Sequence, residues 1–285
     1  MSTQPTYDKF ISVKNVKISA CIIAYNEEKN IAAAIESITW ADEILLVDSG
    51  STDRTREIAE SHGAKIIIQE WLGFAKQKQF AVDNAEHDWI LSLDADERIS
   101  TKLRDELLQL KAMREKDLVD GYKSPRLSFY MNRAIRHGSW YPDWQLRFFN
   151  RTKGAWKNVL IHESFQMNAG ARVEKLSGDI LHYSIENAAH HHKIIGERYA
   201  PLAARQMFEC GTKTTPLKIM TAGLTTFLQT YFLKLGFLDG LPGFCIARFA
   251  AHHAFLKHLF LWEMQQTGEG GIEKSKQTTD AQSKI

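Results

Sequence analysis

Three apolar runs in the first third of the chain leave little freedom in how it folds, because each ends in the same way. Residues 17–24, 43–47 and 89–93 are rich in Ile, Leu, Val and Ala, and each gives way to a polar group: Asn26, Asp48 and Asp94. Such runs suit strands buried on both faces. The segments between them carry helical spacing, with Ile31, Ile35 and Ile38 on one face, and residues 54–62 and 74–85 read as further helices around a strand at 65–69. Gly63 is placed to end the second helix. Asn26 reads as the N-cap of the first, with Glu27 and Glu28 in its opening turn. Strand and helix in alternation predict an α/β fold with right-handed crossovers, a mainly parallel sheet and helices on both faces. Ligands of such sheets bind beyond the carboxyl ends of the strands, where the three polar exits gather.

The last exit is the most acidic, Asp94-Ala95-Asp96-Glu97. Acids after a strand often do no more than open a loop or cap a helix. Two Asp one residue apart can also share a hard divalent cation, since Mg²⁺ is held by a few carboxylates together with phosphate oxygens. Three polar exits in one crevice favour that metal-diphosphate site over caps alone. The chain has neither G-x-x-x-x-G-K-[ST] nor G-x-G-x-x-G after its first strand, which argues against a P-loop NTPase or a dinucleotide enzyme. A formal net charge of +2 gives no case for a nucleic-acid partner. Cys21, Cys210 and Cys245 sit in apolar surroundings and read as reduced core residues. Residues 1–10 lack the layout of a signal peptide. The longest uncharged run, 219–233, falls short of the roughly 20 apolar residues of a spanning helix. A cytoplasmic chain without a transmembrane helix is expected.

After residue 100 the alternation stops. Residues 102–113 read as a helix and 121–129, 145–149 and 159–165 as strands, with Trp140, Tyr141, Trp144 and Trp156 around them. Burial trends assign these aromatics to the core; the functional alternative is that one or two stack on the rings of a bound substrate. Arg147 and Arg151 either form ordinary ion pairs or grip a diphosphate through bidentate bonds. His190, His191 and His192 are adjacent, cannot point at one ion from a helix, and read as a solvated face. Between residues 193 and 265 there are eight Lys or Arg against four Asp or Glu, in a helical and unusually aromatic stretch. It is either a helical cap or an element that docks reversibly on an anionic membrane surface by an attraction that salt weakens. The expected organisation is an N-terminal arm (1–16), a catalytic domain (17–200), a helical region (201–267) and a disordered Gly-, Ser-, Thr- and Lys-rich tail (268–285).

Ala24-Tyr25-Asn26-Glu27-Glu28, Asp48-Ser49-Gly50-Ser51-Thr52-Asp53 and Asp94-Ala95-Asp96-Glu97 resemble, in order and spacing, the successive motifs of family 2 inverting glycosyltransferases with the GT-A fold. The Gly73-Phe74 turn, Trp156 with His162-Glu163, and Gly236-Phe237-Leu238-Asp239-Gly240 are similar to the bacterial lipopolysaccharide-core glucosyltransferases of that family. The resemblance implies a UDP-sugar donor held by Ala24, Tyr25, Asn26, Glu27, Asp48, Ser49, Gly50, Asp53, Lys78, Asp94, Ala95 and Arg147, with Asp48 on the uracil or ribose. It implies Mg²⁺ or Mn²⁺ on Asp94 and Asp96, with His182 as a late extra ligand. Gln79 departs from the pattern, since related sequences commonly carry Asn there. Inversion requires a carboxylate that takes the acceptor proton. Asp143, in the turn Tyr141-Pro142-Asp143-Trp144, and Glu163, after an apolar run, are the candidates, and the family's pattern favours Glu163. Its structural alternative is an ion pair with Arg147 or Arg151.

The expected function is transfer of a hexose, with glucose the favoured one, from a UDP-sugar to the lipid-linked lipopolysaccharide inner core at the inner face of the inner membrane. The alternatives are transfer to polyprenyl-phosphate or another glycan, and an inactive nucleotide-sugar-binding scaffold at the membrane.

Overall fold

The computed structural model describes residues 15–157, 163–185 and 187–268. Its first part alternates as the hydrophobic pattern requires: β1 (Ile18–Ala24), α1 (Ile31–Glu36), β2 (Glu43–Asp48), α2 (Thr55–Ser61), β3 (Lys65–Ile68), α3 (Phe74–Asp83) and β4 (Trp89–Asp94). β1 lies between β2 and β4, and β3 flanks β2, all parallel. Successive side chains of a strand face opposite ways, so β1 serves two cores. Ile18, Ala20 and Ile22 pack with Ile31 and Ile35 of α1 and Leu103 of α4 (Thr101–Ala112), whereas Cys21 and Ile23 pack with Ala81 and Val82 of α3. Burial raises the Cys21 thiol far above its ordinary range, so it stays protonated.

The later strands are β5 (Glu97–Ile99), β6 (Gly121–Tyr130), β7 (Arg133–Ala134), β8 (Asp143–Asn150), β9 (Gly154–Lys157), β10 (Ser164–Met167), β11 (Val173–Lys175) and β12 (Ile180–His182). β8 inserts antiparallel between β4 and β6, and β12 lies between β6 and β5. This order sets Arg126 opposite Asp143 and Glu97 opposite His182. The β6–β8 register shifts where Tyr122 faces Phe148 and Lys123 faces Leu146, which makes Arg147 the extra residue of a bulge. Bulges re-aim a side chain. β9 and β10 pair as a separate hairpin that closes on the sheet through Phe165, whose ring stacks 3.6 Å from that of Phe149.

The C-terminal part is helical: α5 (Ala188–Ile194) runs through a π-helical turn (Ile195–Tyr199) into α6 (Ala200–Glu209), followed by α7 (Pro216–Leu228), a π-helical turn (Gln229–Leu233) and α8 (Gly240–Thr267). Helix begins at Ala188, in keeping with the reading of residues 190–192 on a helix. Ala204 of α6 packs on Leu261 and Met264 of α8. Among the described residues no helix is long and apolar enough to cross a membrane.

Several local expectations are corrected. Asn26 is not an N-cap: its φ of 56° is left-handed, and α1 starts at Ile31 behind Asn30. Glu27 and Glu28 therefore lie in the preceding turn rather than in the helix. His191 is buried, edge-on to Tyr130 and Trp140 and 4.1 Å from the Phe249 ring, because α5 turns that side onto β6 and α8; His192 alone of the three is exposed. The strand expected at 159–165 begins at Ser164, and residues 158–162, with His162, lie outside the described residues, as do 1–14 of the arm and 269–285 of the tail.

Candidate active site

The loops leaving β1 and β2 are tied together by polar caps. Asn26 tolerates its left-handed backbone, and its N–H donates to Ser51 Oγ (2.9 Å) while its Oδ1 accepts from the Thr52 N–H (2.8 Å). The Glu27 N–H donates to Thr55 Oγ1 (2.7 Å) and the Glu28 N–H to Asp53 Oδ2 (3.1 Å). Beneath them Asp48 is fully buried; its Oδ1 accepts from the N–H groups of Gly50 (3.0 Å) and Ser51 (2.8 Å), and its Oδ2 from the Ser51 hydroxyl. Gly50 takes a φ of 89°, which a side chain would oppose. Asp48 thus folds the loop and shows no surface to a nucleobase, contrary to expectation. Gln77 of α3, also buried, donates to Ser49 Oγ and the Gln69 carbonyl (both 3.1 Å) and accepts from the Leu72 N–H (3.2 Å).

The acids after β4 form one network. Glu97 is 0% exposed at the start of β5, so it requires partners. Its Oε2 accepts from the Asp94 N–H (3.0 Å), and its Oε1 accepts from Arg147 (2.8 Å) and Arg126 (3.3 Å). Arg147 also donates to Asp94 Oδ2 (2.8 Å). Lys78 Nζ, from α3, lies 2.8 Å from Asp94 Oδ1, close enough for an ion pair though not aligned for a hydrogen bond, and 3.6 Å from Glu163 Oε1. Burial by itself raises the Asp94 carboxyl, but Lys78 and Arg147 outweigh it and hold the group far below the usual carboxylate range. Burial works against charge on Arg147 too, and Glu97 and Asp94 more than offset it. The Trp156 ring covers both cations, 5.0 Å from Lys78 Nζ and 6.0 Å from the Arg147 guanidinium. Gln79 holds that residue by accepting from the Trp156 N–H (2.8 Å).

On the other side of the turn, Asp96 Oδ2 is 3.4 Å from His182 Nε2, and His182 Nδ1 is 3.2 Å from Ser128 Oγ. A partner on Nδ1 leaves Nε2 free to ligate. Asp94, Asp96, Glu97, Asp143 and Glu163 against Lys78, Arg126 and Arg147 make five carboxylates to three cations, a formal −2 that suits a divalent ion. Among the described residues no three metal-binding side chains converge. Asp94 has both oxygens on cations, so Asp96 and His182 are the pair that fits a metal, with further oxygens left to a phosphate.

The two candidate bases differ in their surroundings. Asp143 has both oxygens engaged, Oδ2 by Arg126 (2.9 and 2.7 Å) and Oδ1 by Gln145 (2.7 Å). Glu163 pairs with Lys78, not with the expected Arg147 or Arg151. Arg151 belongs to the far end of the strands, on Asp88 (2.9 Å) and the Val82 and Ala85 carbonyls (3.1 and 2.7 Å), too far round the sheet to grip a diphosphate at the Asp94 exit. Trp140 is core, against Tyr130 and His191. Trp144, Gln145, Trp156 and Ser164 line a cavity of about 400 Å³ next to Glu163 in the chain.

Residues 19–178 match the family model Glycosyl transferase family 2. The chain belongs to that family. An uncharacterized glycosyltransferase of Rickettsia bellii (strain RML369-C) is 32% identical over 261 residues, 87% of each chain. The lipopolysaccharide core biosynthesis glycosyltransferase LpsC of Rhizobium meliloti (strain 1021) is 30% identical over 253 residues, 86% of this chain and 91% of its own. The structure of S. aureus TarS 1-349 in complex with UDP-GlcNAc covers 89% of this chain and 93% of its own at 14% identity, with a TM-score of 0.45. The fold of this family 2 transferase is of the GT-A type, a mainly parallel sheet with helices and a C-terminal helical region. The family match takes in Asp48, Asp94, Asp96, Asp143 and Glu163 and stops before His182 and the helices.

Sequence reasoning missed Glu97 as a site residue, and Arg126, Gln77 and Ser128 altogether. Glu97 carried a signal, since it extends the acidic motif. The other three gave none: each depends on which strand or helix lies beside it, and that neighbour is distant in sequence.

Proposed function

We propose that this family 2 transferase moves glucose from UDP-glucose to the lipopolysaccharide inner core, with inversion and with Mg²⁺ or Mn²⁺, at the inner face of the inner membrane where a lipid-linked saccharide acceptor resides. One observation carries the reading: Lys78 touches both Asp94, at the strand exit, and Glu163, so cations suited to a diphosphate and a carboxylate suited to a base share one site.

The donor's nucleoside lies against the loops that Asn26, Asp48 and Asp53 shape, from Ala24 to Glu27 and from Ser49 to Gly50, and its diphosphate lies toward Lys78, Arg147 and the Asp94–Ala95 turn. Asp96 and His182 would hold the metal, which when bound neutralises the charge that grows on the departing diphosphate. Asp94 and Glu97 fix the Lys78 and Arg147 head groups, so these charges are in place before the substrate arrives. The acceptor hydroxyl attacks the anomeric carbon from the face opposite the diphosphate. As the new C–O bond forms and the bond to UDP breaks, Glu163 takes the hydroxyl proton. Asp143, held by Arg126 and Gln145, supports the wall of the site.

The test is UDP release from UDP-glucose with lipopolysaccharide acceptor. Asp96→Asn should keep the fold and lose most turnover, and excess chelator should do the same to the unaltered enzyme. Full activity in either case would contradict the metal assignment, and no UDP release with any core acceptor would contradict the function.

A further inference from the structure

The site uses almost nothing of α7, the turn behind it or the start of α8, yet most of the exposed large apolar side chains of the described residues lie here, between Leu217 and Phe244. Leu217, Met220, Leu224 and Leu228 form one stripe of α7, spaced for a single helical face, and Met220 is 79% exposed. Ala222 and Gly223 lie on the opposite side and turn it onto α8, where a Cβ on Gly223 would come within 3.2 Å of the Ala251 carbonyl. Packing of α7 is therefore complete without the stripe. Phe232, Leu233, Leu235, Leu238 and Leu241 continue the exposed apolar surface through the π-helical turn and into α8. Leu235 has a left-handed backbone at φ 57°, a conformation costly to a leucine, and is still exposed. Monomeric soluble proteins rarely leave so large a continuous apolar surface to water.

Charge identifies what covers it. From residue 210 to 262 there are five Lys or Arg and one acid, Asp239. That acid is buried and spoken for: it accepts from the backbone N–H groups of Arg136 (3.2 Å) and His137 (2.8 Å) and pairs with His137 Nδ1 (3.0 Å). Lys213, Lys218, Lys234 and Arg248 are exposed around the ridge, and Arg133 of the β6–β7 hairpin reaches Gly240 at the start of α8. A second copy of the chain docked face to face would set these cations against their own images. Anionic lipid headgroups would meet them with opposite charge while the leucines enter the acyl region, and aromatic rings such as Tyr231 and Phe237, which meet edge to face beside the ridge, suit the boundary between the two.

We infer that the ridge from Leu217 to Leu241 inserts into an anionic bilayer and that insertion, more than charge, holds the protein there. The inference deepens the membrane-side reading given above and rests on it. Asp239 fastens the ridge to the loop that leads into Asp143, so the embedded surface is braced against the acceptor side of the site.

The full chain is tested by co-sedimentation with vesicles of phosphatidylglycerol and phosphatidylcholine, at low salt and at about 1 M NaCl, where screening leaves charge attraction only a few ångströms of range. The unaltered protein should stay bound at high salt. Combined Leu224→Gln, Leu233→Gln and Leu241→Gln should weaken binding tenfold or more at both salts with an unchanged thermal melt, because these side chains are exposed. Lys218→Gln with Lys234→Gln should weaken it only at low salt. Complete release of the unaltered protein by salt, equal binding by the leucine variant, or a dimer that the leucine variant breaks without change in vesicle binding would each overturn the inference. UDP release with a lipid-free core oligosaccharide separates the two readings: the leucine variant should turn over normally, and failure of the unaltered protein there, with vesicle binding intact, counts against the proposed function alone.

Discussion

Glu163 and Asp143 face the same site with different commitments, and the proposal of Glu163 as the base rests on that difference. Glu163→Gln should lower transfer by at least about a hundredfold, the lower range for lost acid–base catalysis, while UDP-glucose binding measured by calorimetry stays near normal; Asp143→Asn should be milder. A dead Asp143→Asn enzyme with an active Glu163→Gln one would reverse the roles. Arg147 is a matter of stability as well as binding. Arg147→Met leaves Glu97 fully buried with Arg126 alone, and removing one partner of a buried ion pair typically costs about 3–5 kcal/mol. Urea unfolding at neutral pH should show a loss of that order, and a change below about 1 kcal/mol would mean the network is not cooperative. Asp94 and Asp96 stood out in the sequence only because three polar strand exits point to one crevice, since an acidic pair after a strand by itself often just opens a loop or caps a helix. Asp48 was legible as a motif residue but not as a buried loop-former, since its motif names the position and not the direction of its oxygens.

At the scale of elements, the pattern of apolar residues placed β1 to β4 and α2 to α3 correctly: burial on two faces leaves a strong mark in β1, β2 and β4, and the half-exposed edge strand β3 is marked by its run of Ile. It misplaced the start of α1. Asn followed by two Glu is good cap chemistry, and only the capping of their N–H groups by Ser51, Thr55 and Asp53 from the next loop unwinds that turn. The helix α5 carries a consequence of its own. Burial pushes the His191 imidazole down to about 4. It is therefore neutral when folded, and the unfolded chain binds more protons below pH ~6.5. Its contribution is fully present above that pH and is lost as pH falls toward 4, about 2 kcal/mol of it between pH 7 and 5. His191→Phe, which keeps a ring between Tyr130 and Phe249, should flatten the fall in unfolding free energy over that interval by this amount. An identical fall in the variant would show that His191 is not the titrating group.

In the whole molecule, the parallel half built from β1 to β4 supplies the loops proposed to hold the donor, and the inserted strand β8, with β6 and β12, brings Arg126, Asp143, Arg147 and His182 to the same edge. The family resemblance already assigns Asp143, Arg147 and His182 to one site; Arg126 was invisible because its place there depends on the order of strands, not on their existence. The aromatic, cationic character of the helices was legible, but not the exposed stripe, since an apolar residue in a helix does not announce which face stays unpacked. Whether the chain adds glucose to the lipopolysaccharide inner core is decided by mass analysis of lipopolysaccharide from cells with and without a working gene. Cells without it should carry a core lacking one hexose and everything attached beyond it, restored by the unaltered gene and not by Glu163→Gln; an unchanged core, or full restoration by Glu163→Gln, would overturn the proposed function.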